Sequence, residues 1–173
     1  SEGVVIARLK DQKARDSGQW GAALRWQTDN TEYGFYAMNY HSRVPFLAYK
    51  APGANLYSDL NSVLGTAIGN GITNPEVLEG LLAATVFGNS NYFMDYPEDI
   101  RLYGVSFATT LPTGTAWSGE LSYRPNAPVA LNAADMLVGT LAPYDAGLSN
   151  IQVAPDGKVR GYNRKEVTQI QST

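Results

Sequence analysis

The sequence predicts an all-β chain, a portion of an antiparallel, up-and-down transmembrane β-barrel with short helices in two long extracellular loops. Three observations lead there. Runs of alternating residues put large apolar side chains on one parity and small or polar ones on the other, the period of a strand with two different faces. The connections between runs alternate short (28–32), long (50–98), short (111–115) and long (125–158). Outer-membrane barrels have this rhythm, with short turns at the periplasmic end and long loops outside. Finally, aromatic residues stand near the ends of the runs on the apolar parity, where rings form the girdles of such barrels. A soluble barrel or sandwich with an aromatic core is the alternative, although sandwiches carry turn signals every 8–12 residues or so.

The first strand covers 17–28, with Trp20, Ala22, Leu24 and Trp26 on one face against Gln19, Gly21, Ala23, Arg25 and Gln27. The turn "TDNTE" follows, built from residues that bond their own backbone. A second strand is expected over 33–49, with Tyr36, Met38 and Tyr40 opposite Asn39, His41 and Arg43, and Pro45 marks a bend. Within the first long loop, 56–71 predicts a weak helix. A stronger one follows, with Asn74 as N-cap, Pro75 at its first position, Glu76 in the first turn and Gly88 at its end. Its stripe of Leu78, Leu81, Leu82 and Thr85 reads as local core, with a membrane-surface or partner-binding face as the alternative.

Strands at 101–110 and 116–124 form a hairpin on "LPTGT". Tyr103, Val105, Phe107, Trp117, Leu121 and Tyr123 share its apolar parity, and Ser106, Ser118, Glu120, Ser122 and Arg124 its polar one. The second long loop carries a helical turn near 132–138, and "KVRGYNRKEVTQIQST" resumes a strand. The lipid-facing girdle is therefore expected at Trp20, Trp26, Tyr103, Phe107, Trp117 and Tyr123. The lumen lining is expected at Arg25, Gln27, Ser118, Glu120, Ser122 and Arg124. That lining is mixed in sign and so not strongly ion-selective. A water-filled or plugged lumen accommodates it at less cost than a dry core.

Composition removes several functions. A chain of 173 residues can bury one real core, and its net charge of -3, with only 17% charged residues, leaves no basic footprint for nucleic acid. Without cysteine there is no disulfide framework, thiolate metal site or cysteine nucleophile. No apolar run approaches the ~18–20 residues of a spanning helix. The start, "SEGVVIARLKDQKARDSG", does not read as a signal peptide, so either a signal was removed upstream or the chain is a piece of something longer. With His41 as the single histidine, no triad or histidine pair for zinc can be assembled. His41 itself reads as a surface or lumen-wall residue, with a pH switch as the alternative. Asp95, Glu98 and Asp99 in "DYPEDIR" read as a solvated turn before a strand, with a calcium site at a loop base as the alternative. No dinucleotide, phosphate-loop or nucleophile-elbow motif occurs, and no catalytic role, cofactor or metal is expected.

The segments "DSGQWGAALRW", "TEYGFYAMNYHSRVPF", "YPEDIRLYGVSFATTLPTGTAWSGELSYRPNAPV" and "YNRKEVTQIQST" resemble, in this order, the domain-of-unknown-function family numbered 1302, outer-membrane proteins of pseudomonads and related Gram-negative bacteria. The resemblance implies a barrel in outer-membrane lipid, often encoded near efflux-type transporters of the resistance-nodulation-division class and suspected of moving hydrophobic molecules. It supplies no catalytic residues. Members of that family are several times longer than this chain, and five strands fall short of the roughly eight that close a membrane barrel. The chain is therefore expected to be an internal portion of a barrel completed by other segments or chains. The expected function is that of a channel or transport component, with a surface-binding or adhesion module anchored by the barrel as the alternative.

Overall fold

A computed structural model describes residues 3–173. Its elements run β1 (Ala7–Arg8), β2 (Trp20–Gln27), β3 (Thr31–Tyr40), β4 (Phe46–Lys50), α1 (Ala54–Gly69), α2 (Pro75–Gly88) and β5 (Asn91–Asp95). After these come β6 (Ile100–Thr110), β7 (Ala116–Ala130), α3 (Ala133–Gly139), β8 (Lys158–Val159) and β9 (Tyr162–Ser172). The chain is mostly β, and its two sheets are rich in antiparallel pairs. No helix among the described residues is long and apolar enough to cross a membrane, which says nothing of crossing by strands.

The elements divide between two compact units that the chain visits alternately. Of the described residues, one comprises 3–13, 46–95 and 130–161, so the two long excursions fold together with the segment that carries β1. Its sheet has the order β1-β5-β4-β8, with β1 parallel to β5 and the other pairs antiparallel. Helices α1 and α2 enclose a core of Leu60, Leu82, Val86 and Leu141, flanked by Tyr57, Leu64 and Phe87. Of the stripe expected on this helix, Leu82 joins that core, while Leu78, Leu81 and Thr85 are half-buried. The start of α2 forms as its residues dictate. Asn74 Oδ1 accepts the Glu76 N–H at 2.9 Å, and Pro75 needs no donor partner there. The Tyr57 hydroxyl donates to the Thr140 carbonyl at 2.6 Å, and burial pushes its phenol up to about 12.

A buried ion pair pins the sheet of this unit. Lys158 Nζ lies 2.8 Å from Asp95 Oδ2, donates to Gln12 Oε1 at 2.7 Å and stands 5.4 Å above the centre of the Phe93 ring. Asp95 is thus buried rather than solvated, because β5 carries it to the end of its ladder with β4.

The other unit, 14–45, 96–129 and 162–173, is a five-stranded meander in the order β2-β3-β6-β7-β9. Each strand pairs with its predecessor in that order, and the sheet is open, with β2 and β9 at its edges. The reciprocal bonds between Ser118 and Thr173, both 3.0 Å, set β9 antiparallel to β7. The second strand is shorter than 33–49: β3 ends at Tyr40, and Phe46 onward belongs to the other sheet. Pro45 lacks the N–H that a continuous ladder needs. Strand β7 is longer than expected and runs to Ala130.

Both long excursions are pinched at their bases. Phe46 pairs with Asp95 in the β4–β5 ladder, and the Leu131 N–H bonds the Gly161 carbonyl at 2.9 Å.

Candidate functional site

The five-stranded sheet sorts its side chains by register. Opposite one another on one face stand Trp26, Tyr33 and Phe107, then Leu24, Phe35, Val105 and Leu121, then Ala22, Ala37, Tyr103 and Tyr123. Trp20 lies beyond them at one end and Trp117 at the other. With Ser118 opposite Thr173, Ile170 of β9 continues the Leu24–Leu121 row. A central row without polar groups is therefore bracketed by rows of rings. The rings contact one another at 5.7 Å between Trp26 and Tyr33 and at 4.7 Å, edge to face, between Phe107 and Trp117. Trp117 Nε1 donates to Ser172 Oγ at 3.0 Å.

This face has no protein cover within its unit. Leu24 is 65% exposed, Trp26 61%, Val105 42% and Leu121 42%. Ordinary soluble surfaces seldom expose so many contiguous apolar side chains. All six expected girdle residues lie on this face. Tyr33, Phe35 and Ile170 join them although the sequence reading passed over them. Their parity was available, but Tyr36, Met38 and Tyr40 obscured it by giving β3 large side chains on both faces.

The six residues expected on the lumen side share the opposite face, but not one environment. Arg25 and Glu32 form an exposed diagonal pair at 3.6 Å, of the kind worth little in water. Glu120 accepts a hydrogen bond from the Tyr36 hydroxyl, whose ring lies across Gly104 on the strand between them. Ser122 is buried, and Arg124 is half-buried with its Nε free of partners. Gln27 and Ser118 are exposed near the short turns. Any Cβ at position 104 would collide with the Tyr36 ring. Gly104→Val is therefore expected to cost about 1–3 kcal/mol, seen as a lower denaturant midpoint by tryptophan fluorescence, since all three tryptophans lie in the same unit.

The end of this sheet nearest the long excursions is tied by a polar cluster around Asp99. Its carboxylate accepts from Asn39 Nδ2 at 3.0 Å and from the Arg15 guanidinium at 2.7 and 2.8 Å. Its carbonyl accepts from Asn126 Nδ2 at 2.7 Å. Glu98 takes two further bonds from Arg15, and its carbonyl accepts from Arg164 at 2.6 Å. The "DYPEDIR" carboxylates are thus ion-paired groups rather than a solvated turn, and the described residues contain no group of three or more His, Cys, Asp or Glu placed to hold a metal. His41 is also not a surface residue: it is 4% exposed, with both ring nitrogens bonded to backbone.

The Asn39 hydrogen bond, helped by the Arg15 charge, holds the Asp99 carboxyl below its usual value. The Met94 N–H and then Arg8 do the same for Asp11. A carboxyl lowered in the folded state contributes stability that is present above its unfolded value, near about 4, and is lost as pH falls through the folded value. Acid unfolding followed by circular dichroism is therefore expected to begin only below about pH 4. Asp99→Asn should make that transition less steep.

A mostly-β protein with two antiparallel-rich sheets, one presenting an uncovered apolar face, is the class these features define. The chain belongs to the family described as "Protein of unknown function (DUF1302)", whose model matches residues 1–173. No curated protein and no solved structure matches it.

Proposed function

We propose that the chain is part of the wall of an outer-membrane β-barrel that serves as a channel or transport component for small, hydrophobic molecules. The carrying observation is the aliphatic row of Leu24, Phe35, Val105 and Leu121 between aromatic rows on an uncovered sheet face. Lipid acyl chains suit the central row, and the interface suits amphipathic rings on either side. The lengths of β3, β6 and β9, 10, 11 and 11 residues, agree with the ~9–11 residues of a tilted membrane strand.

In lipid, the backbone groups along the outer edges of β2 and β9 require partners. Further strands, from the same polypeptide or from other chains, complete the wall in this reading. The opposite face then lines the lumen. Met38, Tyr40 and Leu102 lie toward the end with the long excursions, and Arg25, Glu32 and Glu120 toward the short turns. Arg124 and Ser122 share that face beside Leu102 and Gly104, so its lining is mixed along its whole length. Cooperation with an efflux-type transporter follows from the family resemblance and belongs to the same proposal.

Full-length protein should fractionate with outer membrane and show heat-modifiable mobility on gels, as closed barrels do. Recovery in the soluble fraction, with mobility indifferent to heating, would overturn the reading. A second reading, a surface-binding module on a barrel anchor, is favoured by the separate core and sheet that the two excursions build. Unchanged solute flux with lost surface binding, after substitution of Arg25, Glu120 or Arg124, would select it.

A further inference from the structure

His41 is the single histidine of the chain, and its ring is fully engaged by backbone. Nδ1 lies 3.0 Å from the Asp99 nitrogen and accepts its N–H, so the neutral ring carries its proton on Nε2. That proton is donated to the Ser17 carbonyl at 2.8 Å. Through these two bonds one ring joins the segment before β2 to the segment before β6, at the base of the first excursion. The peptide N–H of His41 adds a third tie, to Gln19 Oε1 at 3.1 Å.

We infer that His41 is an acid-operated latch, closed while the imidazole is neutral and released when it is protonated. Protonation places a second N–H on the ring, at Nδ1, where it faces the Asp99 N–H. Two donors then confront each other, and the bond that holds Asp99 is lost. The charged groups on the segments around the ring are Arg15 and Asp16 before β2, Glu98 and Asp99 before β6, Arg164 of β9 and Arg43 just beyond. Arg15 already engages both the Glu98 and Asp99 carboxylates, and it is the Asp99 N–H, not its carboxylate, that faces Nδ1. The ring is nearly enclosed, and opening is what exposes it to water.

Asp99 is the element poised to move. Its φ of 55° is in the left-handed region, unfavourable for a residue with a Cβ and maintained here by the surrounding bonds. Releasing its N–H lets the 96–99 segment relax toward ordinary backbone. The latch is independent of the membrane reading, because every contact it uses lies within the unit that holds the five-stranded sheet.

Isotopic labelling of histidine follows the imidazole of His41, the single histidine of these 173 residues. Ring titration and hydrogen exchange are followed together from about pH 7.5 to about pH 4.5, a range spanning ordinary imidazole ionisation and lying above the carboxylate window. The expected result is an Nε2–H tautomer at the upper end. Protection at 15–19 and 96–101, corrected for intrinsic exchange, should then fall at least about tenfold in step with ring protonation. In His41→Asn, which cannot titrate, that step is absent. A ring that titrates while protection stays constant would overturn the inference. So would loss of protection with the ring still neutral, or a step that persists in the variant. If His41→Asn fails to fold, the comparison of ring titration with protection in the natural sequence decides alone.

Discussion

Arginine in place of Val105 is expected to abolish assembly into the outer membrane, whereas arginine at the adjacent Ser106 leaves assembly intact. The two positions share a strand and differ in the face they serve. Val105 sits in the central aliphatic row between Phe35 and Leu121, and Ser106 lies between Gly34 and Glu120 on the polar face. A cation at the bilayer midplane costs about 2–4 kcal/mol on the lipid side of a barrel, enough to shift an assembly equilibrium by two orders of magnitude or so. On the proposed lumen side the new guanidinium meets water and the Glu120 carboxylate. Val105→Phe separates lipid from a packed protein interior: fluid acyl chains accept the larger ring, while a close-packed core resists it at about 1–3 kcal/mol. Membrane fractionation and heat-modifiable mobility provide the readout. Equal behaviour of the two arginine variants would remove the basis for assigning these faces.

The second large effect belongs to the other unit. Asp95→Ala is expected to destabilise that unit by about 3 kcal/mol, because it strands Lys158 beside Phe93 with only Gln12 as a close polar partner. The two side chains are 9% and 17% exposed, so water compensates poorly. Replacing both partners, as Asp95→Leu with Lys158→Met, removes the stranded charge and should recover most of the loss. Helices α1, α2 and α3 all fall in this unit, so helical ellipticity during urea unfolding reports on it selectively. A double variant no more stable than Asp95→Ala would place the loss in shape rather than charge.

The meander was legible in the sequence because its signals are local. Trp20 to Trp26 and Tyr103 to Phe107 alternate over consecutive residues, and "TDNTE" and "LPTGT" mark the reversals. The Asn74–Pro75–Glu76 start of α2 is equally local, and it forms as read. The four-stranded sheet was not legible. "FLAYK" and "NYFMD" are short, and β1 and β8 have only two residues each. Their pairing depends on partners distant in the chain, such as Lys50 with Lys158. His41 was misplaced for a related reason. Its acceptors and donors, Ser17 and Asp99, converge on it only after β3 and β6 have paired. Tyr36 was recognised as large but not as spanning a neighbouring strand, which required knowing that Gly104 lies beneath it.

The pinched bases of the two excursions bear on the order in which this chain folds. Pairing β3 with β6 directly requires closing the whole stretch between Tyr40 and Ile100, an entropic obstacle that grows with the logarithm of length. Once β4 and β5 have zipped, Phe46 and Asp95 are already neighbours, and the span left to close is several-fold shorter. That shortening is worth about 1.5 kcal/mol, roughly a tenfold gain in the rate of the encounter. The Leu131–Gly161 contact does the same for β7 and β9. Kinetically, the excursions are expected to act as early folding nuclei that deliver the long strands to one another, so a lesion in β4 or β5 should slow formation of a sheet to which neither strand belongs.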